Sequence, residues 1–210
     1  MTPRSLFDPA GFLTKADAEA LTKRVLALTK SEQTRVTIIA GARGNTRYAV
    51  NQISSGGDNA NVTVSIRSTF GTRSASTTTN KLDDASLKAA VDMSERLAKL
   101  APDDPEAMPE LGAQTYQESP AYNAITANLD PAGRAAAVRA VTEPSRAAKF
   151  QATGYIESGA SAHAIATNKG LFAYARETAA SMTTTVRAPD GSASGWAGAA
   201  HTNWSRIDPD

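Results

Sequence analysis

The chain has 210 residues, 41% of them hydrophobic, with 22 Lys+Arg against 21 Asp+Glu and no cysteine. A formal net charge of +1 argues against a protein built to clamp phosphate backbones, which needs a net basic face. The absence of cysteine excludes a disulfide framework, a thiolate nucleophile and a Cys-ligated metal, and two histidines, His163 and His201, are too few for a His-rich metal centre.

In chain order, Met1 to Phe12 forms a tail (1–13) whose apolar character is broken by Asp8, Pro9 and Gly11, so no cleaved signal peptide is expected. No stretch approaches the roughly 18 apolar residues of a membrane span. The expectation is a cytoplasmic protein without a membrane partner. Thr14, with Asp17 three residues on, is placed to cap a helix. Ala18, Leu21, Val25 and Leu28 then form one apolar stripe at helical spacing. Residues 35–40 and 45–54 read as two strands separated by a Gly41-Ala42-Arg43-Gly44 turn. Ser54 to Asn59 reads as a hairpin loop. Residues 60–68 alternate, with Val62, Val64 and Ile66 on one face. A turn at Phe70-Gly71 leads to a polar strand at 72–79. Asp83 is placed to cap a helix reaching Leu100, with Leu87, Ala90, Val91, Ser94, Leu97 and Ala98 inward, and Pro102 stops it.

Charge then changes character. Residues 1–100 hold 14 basic and 9 acidic side chains, whereas residues 101–130 hold 6 acidic and none basic. Pro102, Pro105, Pro109 and Pro120 bar regular structure from this block. The stretch 102–129 is thus an acidic, Pro-rich connector. It is either a solvated linker or a strap docking on a partner or on the basic first segment. Asp130-Pro131 supplies an N-cap followed by Pro at N1 for an Ala/Arg-rich helix running to Glu143, before Pro144. Strands follow at 149–158, 161–167, 172–187 and 192–199, with turns at Gly159, Asn168-Lys169-Gly170 and Pro189-Asp190-Gly191. Phe172, Tyr174 and Trp196 are the bulky anchors among small and Thr/Ser side chains, a composition that calls for something lying on the sheet. The fold class expected is α+β, with mostly antiparallel sheets and helices packed on one face. Two αβ segments, 14–101 (helix, four strands, helix) and 130–210 (helix plus antiparallel strands), are joined by the connector. The second is either separate or continuous with the first.

Several stretches, in this order, carry a resemblance. They are Arg47-Tyr48-Ala49-Val50-Asn51-Gln52-Ile53, the Val62-to-Arg67 strand, and Gly71-Thr72-Arg73-Ser74-Ala75-Ser76-Thr77 leading to a helix. Next come Leu100-Ala101-Pro102-Asp103-Asp104-Pro105, Ala152-Thr153-Gly154-Tyr155, Asn168-Lys169-Gly170-Leu171-Phe172-Ala173-Tyr174, and Ser192-to-Gly198 around Trp196. Over roughly residues 15–210 the series resembles the TldD/PmbA proteins, also called the modulator-of-DNA-gyrase family. No single motif in it is specific; the ordered series is. The resemblance implies a zinc metallopeptidase whose H-E-x-x-x-H helix lies in a C-terminal half. Here neither His163 nor His201 has an adjacent Glu or a second His within a helical turn. The expectation is therefore the N-terminal, non-catalytic portion of such a protein, inactive alone, with zinc belonging to the other half and no cofactor in this chain.

The remaining candidates weigh as follows. The Ser54–Asn59 stretch has glycines but no Gly-Lys-Ser/Thr, so a turn is expected rather than a phosphate loop. Arg35, Arg43, Arg47, Arg67 and Arg73 cluster in the first sheet with only Tyr48 and Phe70 near, so they read as a solvated face rather than a nucleic-acid surface. Polar strands let an extended peptide approach a sheet edge. The resemblance implies that this portion helps to wall a channel for unfolded peptide and contacts a second subunit, in a homo- or heterodimer. Arg47, Asn51, Arg73 and Ser74 are the candidate peptide contacts; the plainer reading makes them ordinary strand residues. The alternative function is a stand-alone peptide-binding or scaffold module. A third, modulation of DNA topology, predicts salt-sensitive DNA binding.

Overall fold

The computed structural model describes residues 13–209. The elements are α1 (Lys15–Ala27), β1 (Gln33–Ala49), β2 (Gln52–Phe70), β3 (Arg73–Thr79), α2 (Asp84–Leu100), α3 (Ala124–Ala127), α4 (Pro131–Ala147), β4 (Gln151–Thr167), β5 (Phe172–Arg187), β6 (Ser194–His201) and a 3₁₀ turn, Trp204–Arg206. The strands form one six-stranded antiparallel sheet, ordered β3-β2-β1-β4-β5-β6. The fold is α+β.

Local chemistry sets the helix starts. The Thr14 hydroxyl accepts from Asp17 N at 3.1 Å while the Asp17 carboxylate accepts from Thr14 N, a reciprocal capping box. Asp83 accepts from Ser86 N at 2.9 Å and Asp130 from Gly133 N at 2.7 Å, the latter ahead of Pro131. The α4 helix does not stop before Pro144 but runs to Ala147. Pro144 lies inside the helix and forgoes the bond an amide there would make to the carbonyl four residues back. The end is set instead by Lys149 at φ 60 and by the Phe150 N bond to Ser145 O at 2.8 Å.

The strands are longer than the glycines suggest. The stretches 35–40 and 45–49 belong to one strand that passes through Gly41 and Gly44. Ser54–Asn59 lies inside β2, and β4 passes through Gly159. The β1–β2 reversal falls at Val50 and Asn51, both at positive φ. Asn51 is held there from several sides. Its N–H donates to Ala152 O, its Nδ2 donates to Phe150 O at 2.8 Å, and its Oδ1 accepts from Ala152 N at 2.8 Å.

The chain divides into two compact units, each described separately. Among the described residues, the first comprises 13–40, 61–118 and 162–175. Its core sets Ala18, Leu21 and Val25 of α1 and Leu87, Ala90 and Val91 of α2 against Val36, Ile38, Val64 and Ile66. Each buried Val, Leu or Ile there contributes roughly 1.5–3 kcal/mol. On α2 the inward position falls to Glu95 rather than Leu97, which is 40% exposed. Buried Glu95 accepts from the Lys30 and Ser31 amides. Part of the acidic stretch lies along this unit. Asp103 accepts from Thr72 Oγ1 at 2.9 Å, Glu110 stands 3.7 Å from Arg35, and Thr167 Oγ1 donates to Leu111 O at 2.8 Å.

The second unit comprises, among the described residues, 41–60, 119–161 and 176–209. Ala137, Val138 and Val141 of α4 pack with Tyr48, Ala152, Ile156, Ala180, Met182 and Ile207. Buried side chains alternate along its strands: Ala152, Ile156 and Ser158 on β4, Thr178, Ala180 and Met182 on β5. The odd-numbered side chains between them form the opposite face.

Candidate functional site

That opposite face of the second unit carries a cleft of 320 Å³ lined by Arg47, Tyr48, Ala49, Thr153, Gly154, Tyr155, Thr183, Thr184, Thr185 and Trp196. Strand register builds it. On β5–β6, Thr185 opposes Trp196 and Thr183 opposes Gly198. Gly198 gives the indole its seat, since a Cβ there would sit 2.7 Å from the ring. Trp196 remains 69% exposed. On the β1 side, the Arg47 guanidinium lies 5.8 Å from the centre of the Tyr155 ring, within cation–π range.

The floor of the cleft is rigid. The Tyr48 ring, fully buried, crosses over Gly154, and its hydroxyl donates to Thr183 O at 3.1 Å. A Cβ on residue 154 would overlap both the Thr183 carbonyl oxygen and the Tyr48 hydroxyl. Burial pushes the Tyr48 phenol above its ordinary value, and the neighbouring Thr184 hydroxyl works weakly against that rise. Thr184 Oγ1 is buried and makes no hydrogen bond of good geometry. The arrangement can hold a planar ring and an anion; it offers no nucleophile activated by a base.

The four residues expected to contact peptide fall into two pairs. Arg47 and Asn51 belong to the second unit, and only Arg47 lines the cleft. Asn51 is consumed by the reversal it clamps, and its carbonyl accepts from Arg146 at 2.8 Å. Arg73 and Ser74 belong to the first unit. Arg73 donates to Lys99 O at 3.1 Å and lies 3.8 Å from Asp103; the Ser74 hydroxyl accepts from Arg67 at 2.8 Å. Tyr155 and the threonines of β5 are not among the contacts expected from the sequence. Their signal is the odd-even alternation of β4 and β5, which puts Tyr155, Thr183 and Thr185 on the face away from α4, while Thr184 shares the parity of the buried Ala180 and Met182. A second depression, of 540 Å³, lies between β3 and α2 in the first unit, lined by Ser76, Thr77, Thr78, Thr79, Ser86, Ala89, Ala90 and Met93. It holds no charged group.

Among the described residues, no group of three or more His, Asp or Glu side chains is placed to hold a metal ion. His201 Nδ1 accepts from Asn203 N at 2.9 Å. No helix among the described residues is long and apolar enough to cross a membrane.

No protein-family model matches the sequence, and no curated protein matches it. Solved structures do. TldE from Thermococcus kodakarensis superposes with a TM-score of 0.74 at 15% identity, over 88% of this chain and 43% of that one. A protein from Thermotoga maritima, described as a candidate modulator of a DNA gyrase, gives 0.76 at 15% identity, over 91% and 45%. One of like description from Bacteroides thetaiotaomicron gives 0.70 at 13% identity, over 94% and 48%. The chain has the TldD/PmbA fold. It spans less than half the length of each of these structures. At such identities the fold is what is shared.

Proposed function

We propose that this chain acts as the N-terminal, non-catalytic portion of a TldD/PmbA-type zinc metallopeptidase, contributing wall to a peptide channel and contacts to a second subunit. The observation that carries the reading is the superposition itself: 88–94% of this chain accounts for only 43–48% of the matched structures. In this reading the chemistry that needs zinc belongs to the H-E-x-x-x-H helix that the family resemblance places in a C-terminal half. The partner would be a homo- or heterodimeric family member, the substrate an unfolded peptide, and the compartment the cytoplasm.

The test uses the purified chain with a fluorescently labelled, unfolded casein. The reading expects saturable binding by fluorescence polarisation and no cleavage with added zinc. Zinc-dependent, chelator-sensitive cleavage would overturn the non-catalytic part. Absence of any binding to unfolded chains would overturn the channel part.

The second reading, a stand-alone peptide-binding module, draws on the cleft around Trp196, which is complete within one compact unit. It expects the same peptide binding from a chain that functions without further sequence.

A further inference from the structure

The cleft around Trp196 allows the ligand to be narrowed, and the narrowing rests on the peptide-binding reading above. We propose that it is a subsite for an aromatic residue bearing a carboxylate, whose simplest form is the C-terminal Phe, Tyr or Trp of a peptide. Three observations converge. The first is charge. Among the described residues, Arg47 makes no ion pair, and its side-chain contact is the Tyr155 ring. Two other arginines of the same unit are paired, Arg43 standing 3.5 Å from Glu157 and Arg134 2.5 Å from Asp58, and Arg47 alone among them lines the cleft. No carboxylate lines the cleft; Glu157, which accepts from the Tyr155 hydroxyl at 3.4 Å, stands 3.5 Å from Arg43. An anion meets a guanidinium, whose fork geometry fits a carboxylate.

The second is the aromatic platform. Trp196 is 69% exposed, with its indole lying over Gly198, where a Cβ would come within 2.7 Å of the ring. An open indole face favours an offset-stacked ring. The third is size. At 320 Å³ the cleft lies at the small end of the roughly 300–1,000 Å³ range of small-ligand sites. It has room for one ring and its carboxylate, not for a run of residues. A nucleotide offers a ring and an anion too. A backbone of successive phosphates wants several cations, though, and this cleft presents one in a chain of net charge +1.

The experiment is a tryptophan-fluorescence titration of the full chain with N-acetyl-phenylalanine and, in parallel, its neutral carboxamide. The expected result is a saturable change with the acid and an affinity at least about tenfold weaker for the amide. Arg47→Gln should bring the acid down to the amide's level with an unchanged far-ultraviolet circular dichroism spectrum. Trp196→Phe should abolish the optical change, identifying Trp196 rather than Trp204 as the reporter. Equal binding of acid and amide, an unaltered response in Arg47→Gln, or tighter binding of a mononucleotide would each overturn the proposal. Casein binding without any response to N-acetyl-phenylalanine would leave the channel reading standing and remove this subsite. The acid binding where casein does not would do the reverse.

Discussion

Arg134 Nη2 donates to Asp58 Oδ1 at 2.5 Å, joining the first turn of α4 to β2, with Arg134 only 2% exposed and Asp58 53% exposed. The remaining guanidinium donors reach Thr46 Oγ1 at 3.2 Å and Leu129 O at 2.9 Å. Gly44 leaves the space the guanidinium occupies, since any Cβ there would overlap it. The two ends of this ion pair are unequal. Arg134 is a buried charge fixed by three acceptors; Asp58 is a half-solvated carboxylate whose attraction water screens.

That inequality sets two mutational outcomes apart. Arg134→Ala removes a large buried side chain and strands the acceptors it served, so a loss of about 3–5 kcal/mol is expected. Asp58→Asn keeps a hydrogen-bond acceptor and loses screened charge only, for about 1 kcal/mol. Urea unfolding of both variants measures the difference. Equal losses would mean that the Coulomb attraction, not the buried packing, holds α4 to this edge.

Tyr48 and Gly154 make a second asymmetric pair. Tyr48→Phe keeps the ring and removes one hydrogen bond, leaving the Thr183 carbonyl short of a donor; about 1–2 kcal/mol is expected. Gly154→Ala puts a methyl where the Thr183 carbonyl and Tyr48 hydroxyl already stand, and overpacking typically costs about 1–3 kcal/mol. In the double variant the missing hydroxyl relieves part of the clash, so the combined loss should fall short of the sum of the two. A double-mutant cycle in denaturant reads the coupling. Strict additivity would count against the packing described.

Tyr48 also gives a pH signature. Burial raises its phenol above the ordinary 10.0, so the native state holds the proton more tightly than the unfolded chain. The stability this confers is complete below pH 10 and is lost as pH rises through the folded value, because the unfolded state ionises first. Wild type should therefore lose stability above pH 10 more steeply than Tyr48→Phe. Chemical denaturation from pH 8 to 11 compares the slopes, and parallel curves would contradict the burial-driven shift.

What the sequence made legible was local. Thr14, Asp83 and Asp130 announce helix starts because a side chain and an amide three residues away suffice to satisfy the orphan donors. Val62, Val64 and Ile66 announce a buried face by alternation alone. The glycines misled because their meaning depends on distant partners. Gly44 makes room for Arg134 and Gly159 for Ala42 and Arg43, so each lies within a strand instead of a turn. The real reversal uses Val50, which no local rule favours at φ 50. It is imposed by Asn51 gripping Phe150 and Ala152, about a hundred residues away in sequence. The cleft was half-legible: Arg47 and Trp196 drew notice, whereas their meeting depends on strand order, which no single strand encodes.

Glu95 is the residue for which periodicity and structure differ most usefully. An apolar stripe on α2 points to Leu97, yet Glu95 is buried and caps the Lys30 and Ser31 amides. Glu95→Ala should leave two partly buried N–H groups without acceptors and cost about 2–4 kcal/mol. Glu95→Gln retains an amide oxygen for both donors and loses only the charge-assisted share, about 1 kcal/mol. Leu97→Ala removes a side chain already 40% exposed and should cost under about 1 kcal/mol. The damage should thus be greatest for Glu95→Ala, smaller for Glu95→Gln and least for Leu97→Ala. That order follows from a carboxylate whose task is to satisfy backbone, and thermal or urea unfolding ranks the three variants. If Leu97→Ala proved the most damaging, the helix would have to be rotated from the face described, with Leu97 rather than Glu95 turned toward β1 and β2.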